Sequence, residues 1–169
     1  MHHSIMKFGV SLMLFCSLLV CSCAAVAQTA QPDFSQQIAA FIDEWHDDAA
    51  KANFRYFDKI APDGVYIGTD KSERWVRDDF KAFAKPYFDR KKAWEFHAFN
   101  RHIAFNADHS VIWFDEQLHT RMGVCQASGV IRNTASGLQI AHYQLSLAIP
   151  NDLVDRFQKQ IEDYEAGKP

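Results

Sequence analysis

Apolar side chains recur every three or four positions in two stretches of the first half of the chain, which is the spacing of one face of an α-helix. The first set predicts a helix over residues 35–59: Ile38, Phe41, Ile42, Trp45, Ala49, Ala52 and Tyr56. The second set predicts a helix after residue 75: Val76, Phe80, Phe83, Ala84 and Tyr87. Between them, Pro62-Asp63-Gly64 predicts a turn and Val65–Gly68 a short strand. Pro86 should end or kink the second helix, because proline lacks the N–H that a helix interior needs.

From Trp94 onward apolar and polar residues alternate, which is the pattern of half-buried strands. Four runs have this pattern: Trp94–Phe105, Ser110–Arg121, Cys125–Asn133 and Leu138–Ile149. The short polar segments "NADH" and "TASG" lie between runs and predict tight turns, so consecutive strands should pair in an antiparallel meander. Residues 152–164 predict a closing helix. The order of elements therefore predicts an α+β domain, with helices packed on one face of a curved antiparallel sheet.

The stretch "YIGTDKSERW" at residues 66–75 combines charged side chains with an indole. Thr69, Asp70 and Ser72 are common helix N-capping residues, and the second predicted helix follows directly. We interpret the stretch as the corner between a strand and a helix. The alternative is that Asp70 or Glu73 acts in acid/base chemistry, which is less favoured because capping residues are expected here in any case.

The amino-terminal residues have the features of a secretory signal peptide. The run from Phe8 to Ala27 is small and apolar, and "AVA" before Gln28 fits a signal peptidase site. We therefore predict a cleaved signal at residues 1–27, a flexible leader at 28–34 and a single domain at 35–169. This predicts an exported, periplasmic protein. Cys23 in "VCSC" offers a second route, in which lipid attachment at this residue would anchor the domain to a membrane.

Charge and aromatic content narrow the function classes. The formal charge is −3 and no basic stripe occurs, which argues against binding to nucleic acid. The chain holds 14 Phe, 5 Tyr and 4 Trp, so its core is either thickly filled with rings or has an apolar hollow.

Several motifs resemble the nuclear transport factor 2-like superfamily, and within it the SnoaL-like branch of polyketide cyclase relatives. They are "WHDDAAKANFRYF", "YIGTDKSERW", "FAKPYFD", "VIWFDEQL", "ASGVIRN" and "IAHYQLSLAIPNDL", all between Phe34 and Leu153. The resemblance implies a cone: a strongly bent antiparallel sheet with helices packed on its concave face, enclosing an apolar pocket. Members include isomerases, cyclases, dehydratases and proteins without a known reaction, so the fold does not assign an activity. The acid/base pair of the ketosteroid isomerases does not map onto a motif of this chain.

Pairing the strands through their short turns predicts which side chains point inward. This register places Phe99 near Glu116, and Ser128 near both Leu118 and Tyr143. With the first helix, the predicted pocket lining is Trp45, Tyr56, His97, Phe99, Arg101, Phe114, Glu116, Ser128 and Tyr143. Burial could raise the pKa of Glu116 and make it a general base, with Tyr143 or His97 as proton donor. The alternative, which we favour, is that Glu116 and Arg101 neutralise each other as a buried structural pair.

The opposite sheet face should meet solvent or a second subunit. It carries His102, Trp113, Asp115, Gln117, His119, Ile140 and His142. The histidines are spread over three strands, whereas zinc ligands must converge on one point, so we expect neither a metal nor another cofactor. Trp113 and His142 instead predict a homodimer through this face.

Two functions remain from the sequence. The first is binding of a small, largely apolar molecule in the cone pocket, with or without acid/base chemistry of the isomerase or cyclase type at Glu116. The second is a non-catalytic homodimeric envelope module whose hollow is filled by its own rings. An open cavity favours the first, and a filled core favours the second.

Overall fold

The computed structural model describes residues 33–167, in which helices precede, interrupt and follow a six-stranded sheet. In chain order the elements are α1 (Phe34–Ala50), α2 (Arg55–Asp58), β1 (Ile60–Ile67), β2 (Arg74–Val76), α3 (Arg77–Asp89), β3 (His97–Phe105), β4 (Val111–Thr120), β5 (Gly123–Thr134), β6 (Gly137–Leu147), a 3₁₀ turn (Asn151–Leu153) and α4 (Val154–Ala166). The predicted signal peptide, the Cys23 lipidation site and most of the predicted leader lie outside the described residues. No helix within residues 33–167 combines the length and apolar character needed to cross a membrane.

The sheet has the strand order β2-β1-β6-β5-β4-β3. Strands β3 to β6 form the predicted antiparallel meander. Strand β1, however, runs parallel to β6 and antiparallel to β2, so the sheet is mixed and the expectation of a wholly antiparallel sheet was wrong. Periodicity reports which side chains share a face but not which distant strand lies alongside. The α+β class is confirmed.

The predicted first helix is broken into α1 and α2 at Ala52. This residue has a φ of 50°, and the amide of Asn53 donates to the carbonyl of Asp48 at 2.8 Å while that of Ala52 donates to Ala49 at 2.9 Å. These two hydrogen bonds form a Schellman motif, which ends a helix with a left-handed residue. Glycine usually occupies that position, so alanine gave no signal of a helix end.

Two other local predictions require correction. Pro62-Asp63-Gly64 lies inside β1 rather than in a turn, at the interruption of pairing with β6 between Ile60 and Val65. Pro86 does not end α3, which continues to Asp89. The "YIGTDKSERW" stretch connects β1 to the short strand β2, which contains Trp75 and pairs antiparallel with β1, and α3 follows at Arg77. The corner was therefore predicted, but the helix cap was not: the N-cap of α3 is Val76, without a side-chain cap hydrogen bond, rather than Thr69, Asp70 or Ser72.

The core lies between the helices and one sheet face. Helix α1 contributes Ile38, Ile42 and Trp45, all inaccessible to solvent, and β4 contributes Ile112 and Leu118. Aromatic rings fill much of the remaining space: Tyr56, Phe57, Tyr66, Phe80, Phe88, Phe114 and Tyr143 are all buried. Helix α4 has no buried residue and contributes nothing to this core.

The inward alternation of β4 is as predicted, but that of β5 is reversed. The β4–β5 hairpin closes at Thr120 opposite Gly123, so Leu118 pairs with Cys125 and not with Ser128, three residues away from the predicted register. Consequently Glu116 pairs with Ala127, and Ser128 lies exposed opposite Asp115. The prediction that Ser128 lines the pocket was therefore wrong. An odd-numbered register shift moves every side chain of a strand to the other face.

Two irregularities change the alternation of the flanking strands. In β3 the register shifts between Phe99 and His102, where Asn100 has a φ of 50°. Phe99 consequently pairs with Gln117 rather than lying near Glu116, as the sequence had predicted. In β6 the shift lies opposite Val130 and Ile131, and it turns Ile140 inward instead of outward. Bulges of this kind insert a residue without an identifiable sequence signature here.

The corrected β5 register predicts that substitutions at two adjacent residues, Gly129 and Ser128, change the free energy of unfolding by very different amounts. A Cβ at Gly129 would lie 2.5 Å from Phe114 Cε1 and 3.0 Å from the carbonyl oxygen of His142. Gly129→Ala is therefore expected to lower the free energy of unfolding by about 1–3 kcal/mol, the usual scale of overpacking. Ser128→Ala, on the exposed face, should change it by no more than about 0.5 kcal/mol. Urea unfolding followed by circular dichroism measures both, and equal effects would contradict this register.

Candidate functional site

An open cleft of about 760 Å³ lies between α3, the segment before β3 and the β4–β5 turn. Its walls are largely aromatic. The rings that line it are Tyr66, Trp75, Phe80, Phe83, Tyr87, Trp94 and Phe96. The volume lies within the range of small-molecule sites, and an aromatic lining is typical of them.

Helix α3 and strand β2 build one wall of this cleft. Phe80, Phe83 and Tyr87 are spaced three and four residues apart, so they follow one face of α3. Trp75 in β2 stacks on two of these rings, with centroids 5.3 Å from Phe80 and 4.6 Å from Phe83. The three rings form a stack along this wall, and Phe83 remains 42% exposed.

A polar network is buried deeper, between α1 and the sheet. Both carboxylate oxygens of Glu116 accept short hydrogen bonds, from His46 Nε2 at 2.6 Å and from Arg101 Nε at 2.7 Å. Arg101 Nη1 also donates to the carbonyl oxygen of Ala39 at 3.1 Å and to Asp43 Oδ1 at 2.7 Å. Glu116 is 1% exposed, so this carboxylate is held entirely by protein groups that donate hydrogen bonds.

The electrostatics of Glu116 differ from the sequence-based hypothesis of a raised pKa. Burial is the largest single influence and raises the pKa of this carboxyl, but the hydrogen bond and charge of His46 and the charge and hydrogen bond of Arg101 outweigh it. The pKa of Glu116 is therefore lowered from its ordinary value of 4.5. A carboxylate that is this firmly ionised and fully hydrogen-bonded is a poor general base. The arrangement supports the structural pair that the sequence analysis favoured.

Some polar atoms beside this network have no hydrogen-bond partner among the described residues: His46 Nδ1, Arg101 Nη2 and Tyr143 Oη. The ring of Tyr143 lies 6.2 Å from that of His46. Burial, as the main cause, raises the pKa of Tyr143 well above its ordinary value, so its hydroxyl stays protonated. None of these residues lines the cleft.

Aromatic rings separate the cleft from the buried network. Phe96 lines the cleft and packs edge-on against His46, with centroids 5.5 Å apart. Tyr66 also lines it, with its ring 5.4 Å from that of Tyr143. A molecule in the cleft would thus contact these rings before it could reach Glu116.

The structure distributes the sequence-predicted site residues over several places. Glu116 and Tyr143 lie in the buried interior and the partly buried Arg101 reaches Glu116, while Trp45 and Tyr56 fill the core, stacked with centroids 4.8 Å apart. The other four predicted residues lie elsewhere. Phe114 is buried beside Gly129, and Phe99 stacks on His119 with ring centroids 4.4 Å apart. Ser128 is exposed, and His97 lines the cleft with its Nε2 3.2 Å from the carboxylate of Glu95. The predicted pocket lining therefore does not form one site.

Sequence reasoning missed His46 and, apart from His97, the lining of the cleft. His46 lies four residues after Ile42 and three before Ala49, on the apolar stripe of α1, and that position was a usable signal of burial. Trp94 and Phe96 precede the start of β3 at His97 in a segment without regular structure, so the predicted strand over 94–105 hid their role.

Of the residues predicted for the outer sheet face, His102, Trp113, Asp115 and His119 are exposed, Gln117 and His142 are half-buried, and Ile140 is buried. Trp113 is 47% exposed and pairs with Val130, which in turn pairs with His142. A homodimer through this outer sheet face stays a prediction from the sequence. Within residues 33–167 no group of three or more His, Cys, Asp or Glu side chains is placed to hold a metal ion.

Comparison with known proteins agrees with the architecture. The family model of the SnoaL-like domain matches residues 38–150. A nuclear transport factor 2-like protein of unknown function from Pseudomonas putida aligns with a TM-score of 0.59 and 10% identity, covering 69% of this chain and 88% of that chain. No match to a curated protein was found.

Two other solved structures of this fold carry activity names. A candidate ketosteroid isomerase from Parabacteroides distasonis has a TM-score of 0.58 at 12% identity, covering 73% of this chain and 94% of that chain. A candidate dehydratase from Streptomyces avermitilis has a TM-score of 0.58 at 10% identity, covering 68% and 96%. At such identities the likeness shows the fold, and it confirms the predicted cone.

Proposed function

Because the chain belongs to the SnoaL-like domain family, we propose that it binds a small, largely apolar, ring-bearing molecule in the aromatic cleft. The observation that carries the proposal is the cleft itself, about 760 Å³ in volume and walled by stacked rings. Burial of a ring against such walls is favourable through its apolar area and through ring–ring contact. Export and homodimer formation remain predictions from the sequence.

The interior of the fold is filled by aromatic side chains, which was the expectation for the alternative of a module that binds no ligand. Trp45, Tyr56 and Tyr143 occupy the space between α1 and the sheet, as that alternative expected. The cleft, by contrast, leaves Phe83 and Tyr87 exposed at its wall. Exposed aromatic rings grouped around a concavity are typical of a ligand site rather than of ordinary surface.

A neutral aromatic probe tests the proposal through one wall residue. Titration calorimetry with 2-naphthamide should show saturable binding, with a Kd of roughly 0.1–1 mM for a molecule of this size. Phe83→Ser should weaken that binding by about tenfold, because it removes one ring contact and its buried area. Its exposure means that the change should leave the folded state intact.

Trp113→Ser provides the matched control, since this ring is similarly exposed but lies on the outer sheet face. It should leave the affinity for 2-naphthamide unchanged. Equal losses in the two variants would contradict a site in the cleft. So would a wild-type protein that binds neither 2-naphthamide nor its carboxylate analogue, 2-naphthoate.

A further inference from the structure

Three cationic side chains lie on the rim of the aromatic cleft. Arg90 and Lys92 follow the end of α3, and Arg121 lies in the turn between β4 and β5, so the cations approach the cleft from two separate elements. The guanidinium of Arg90 lies 5.3 Å from the centroid of the Tyr87 ring, which also lines the cleft. We refer to Arg90, Lys92 and Arg121 as the basic rim.

The basic rim is not neutralised by neighbouring carboxylates. Within residues 33–167 none of its three side chains takes part in an ion pair, whereas Lys51, Lys59, Lys85 and Arg132 all do. Arg74, Lys91 and Arg156 also lack an ion pair within residues 33–167, but none of them lines the cleft. The three rim cations surround a single cleft and have no ion-pair partner, so their positive charge is available to a bound molecule.

The acidic residues of the same cleft are already engaged. Glu73 Oε2 accepts a hydrogen bond from the backbone amide of Asp70 at 3.2 Å. Glu95 Oε1 lies 3.2 Å from His97 Nε2. Both acidic groups that line the cleft therefore have hydrogen-bonding partners, whereas the three rim cations have no ion-pair partner within residues 33–167. With histidines counted as neutral, the three cations and two carboxylates leave the lining with a formal net charge of +1.

The position of the basic rim beside aromatic walls favours a negatively charged ligand. Positive charges beside low-dielectric aromatic walls attract an anion more strongly than the same charges on an open surface. We propose that the ligand carries an acidic group, a carboxylate on a ring-bearing apolar body, and that the basic rim receives this group while the rings hold the body. The proposal rests on the proposed function, because it assigns the charge of a ligand bound in that cleft.

Two probes of nearly equal shape distinguish the contribution of the acidic group to the affinity from that of the ring system. Titration calorimetry compares 2-naphthoate with neutral 2-naphthamide at an ionic strength of about 0.01 M, where charges are screened least. The carboxylate should bind about tenfold more tightly than the amide, on the scale of a few partly screened ion contacts. Raising the ionic strength to about 1 M should remove most of this preference and leave the affinity for 2-naphthamide nearly unchanged.

Substitutions in the basic rim test whether these residues cause the preference for 2-naphthoate over 2-naphthamide. The triple variant Arg90→Gln, Lys92→Gln, Arg121→Gln should bind the two probes equally, and each single variant should lose part of the preference. Arg156→Gln is the control for the single variants, because Arg156 is an exposed cation of α4 outside the cleft and its loss changes the net charge as much as each single rim variant does. It should leave the preference intact.

The outcomes distinguish this inference from the function on which it rests. If wild-type protein binds both probes with the same affinity, the acidic ligand is overturned and the aromatic cleft stands. If the preference survives in the triple variant, or disappears in Arg156→Gln as well, the basic rim is overturned. If neither probe binds, both proposals are overturned.

Discussion

Replacing Glu116 with glutamine is expected to lower the free energy of unfolding by about 3–5 kcal/mol, the usual scale for breaking a buried ion pair. The change preserves shape but leaves the His46 and Arg101 donors facing an amide instead of a carboxylate. The loss should fall toward the lower end of that range, because Arg101 keeps its contact with Asp43. Urea unfolding at pH 7, followed by circular dichroism, measures the difference.

Asp115→Asn is the matched control for this substitution. Asp115 is the preceding residue of β4 and points to the opposite face, and within residues 33–167 its one ion pair is with an exposed histidine, His102, at 3.0 Å. Exposed pairs contribute about 0–1 kcal/mol, so its loss should be small. An unchanged stability of Glu116→Gln would contradict the structural pair and would reopen the acid/base hypothesis.

The pH dependence of the same comparison tests the lowered pKa of Glu116. A group whose pKa is lower in the folded state than in the unfolded state stabilises the fold above its unfolded pKa, and this contribution is lost as pH falls through the folded pKa. The stability difference between wild type and Glu116→Gln should thus be full at pH 7 and shrink as the pH falls below the ordinary value of 4.5. A difference that grows on acidification would contradict the lowered pKa.

Truncation of Trp45 to alanine is expected to lower the free energy of unfolding by about 3–5 kcal/mol, as is usual for the loss of a large core side chain. Trp45 is inaccessible to solvent, stacks on Tyr56 and meets Tyr143 edge-on, both with centroids 4.8 Å away. Its Nε1 also donates to the carbonyl oxygen of Tyr56 at 3.0 Å, and that acceptor would lose its partner. Urea unfolding followed by circular dichroism gives the value.

Trp113→Ala removes the same side chain from a different environment. Because Trp113 is half exposed on the outer sheet face, its removal should cost much less than that of Trp45. If the two variants were equally stable, Trp45 would not be the centre of a tightly packed core, and the sequence-based alternative that it lines an open pocket would be favoured.

The sequence predicted the fold well because the fold depends on periodicity. The helical stripe of α1, the alternation of β4 and the meander from β3 to β6 each follow from patterns of apolar residues that tertiary contacts reinforced. The Arg101–Glu116 pair was also predicted, because Arg101 still reaches Glu116 although it lies within the shifted segment of β3 between Phe99 and His102.

The site was predicted less well because its position depends on features that have no periodicity. The bulge at Asn100 moved Phe99 away from Glu116, and the tight turn after Thr120 moved Ser128 to the exposed face. The cleft itself is lined in part by a segment without regular structure and by the β4–β5 turn. Such segments take their conformation from packing against distant elements, and local patterns do not report it.

The most direct test of the cleft as the ligand site is a crystal structure of the protein with bound 2-naphthoate. We expect the naphthalene rings to lie against the exposed side of Phe83 and beside Trp94, with the carboxylate directed toward Arg90, Lys92 or Arg121. A probe found instead beside Glu116, after displacement of Phe96 or Tyr66, would contradict the cleft as the binding site.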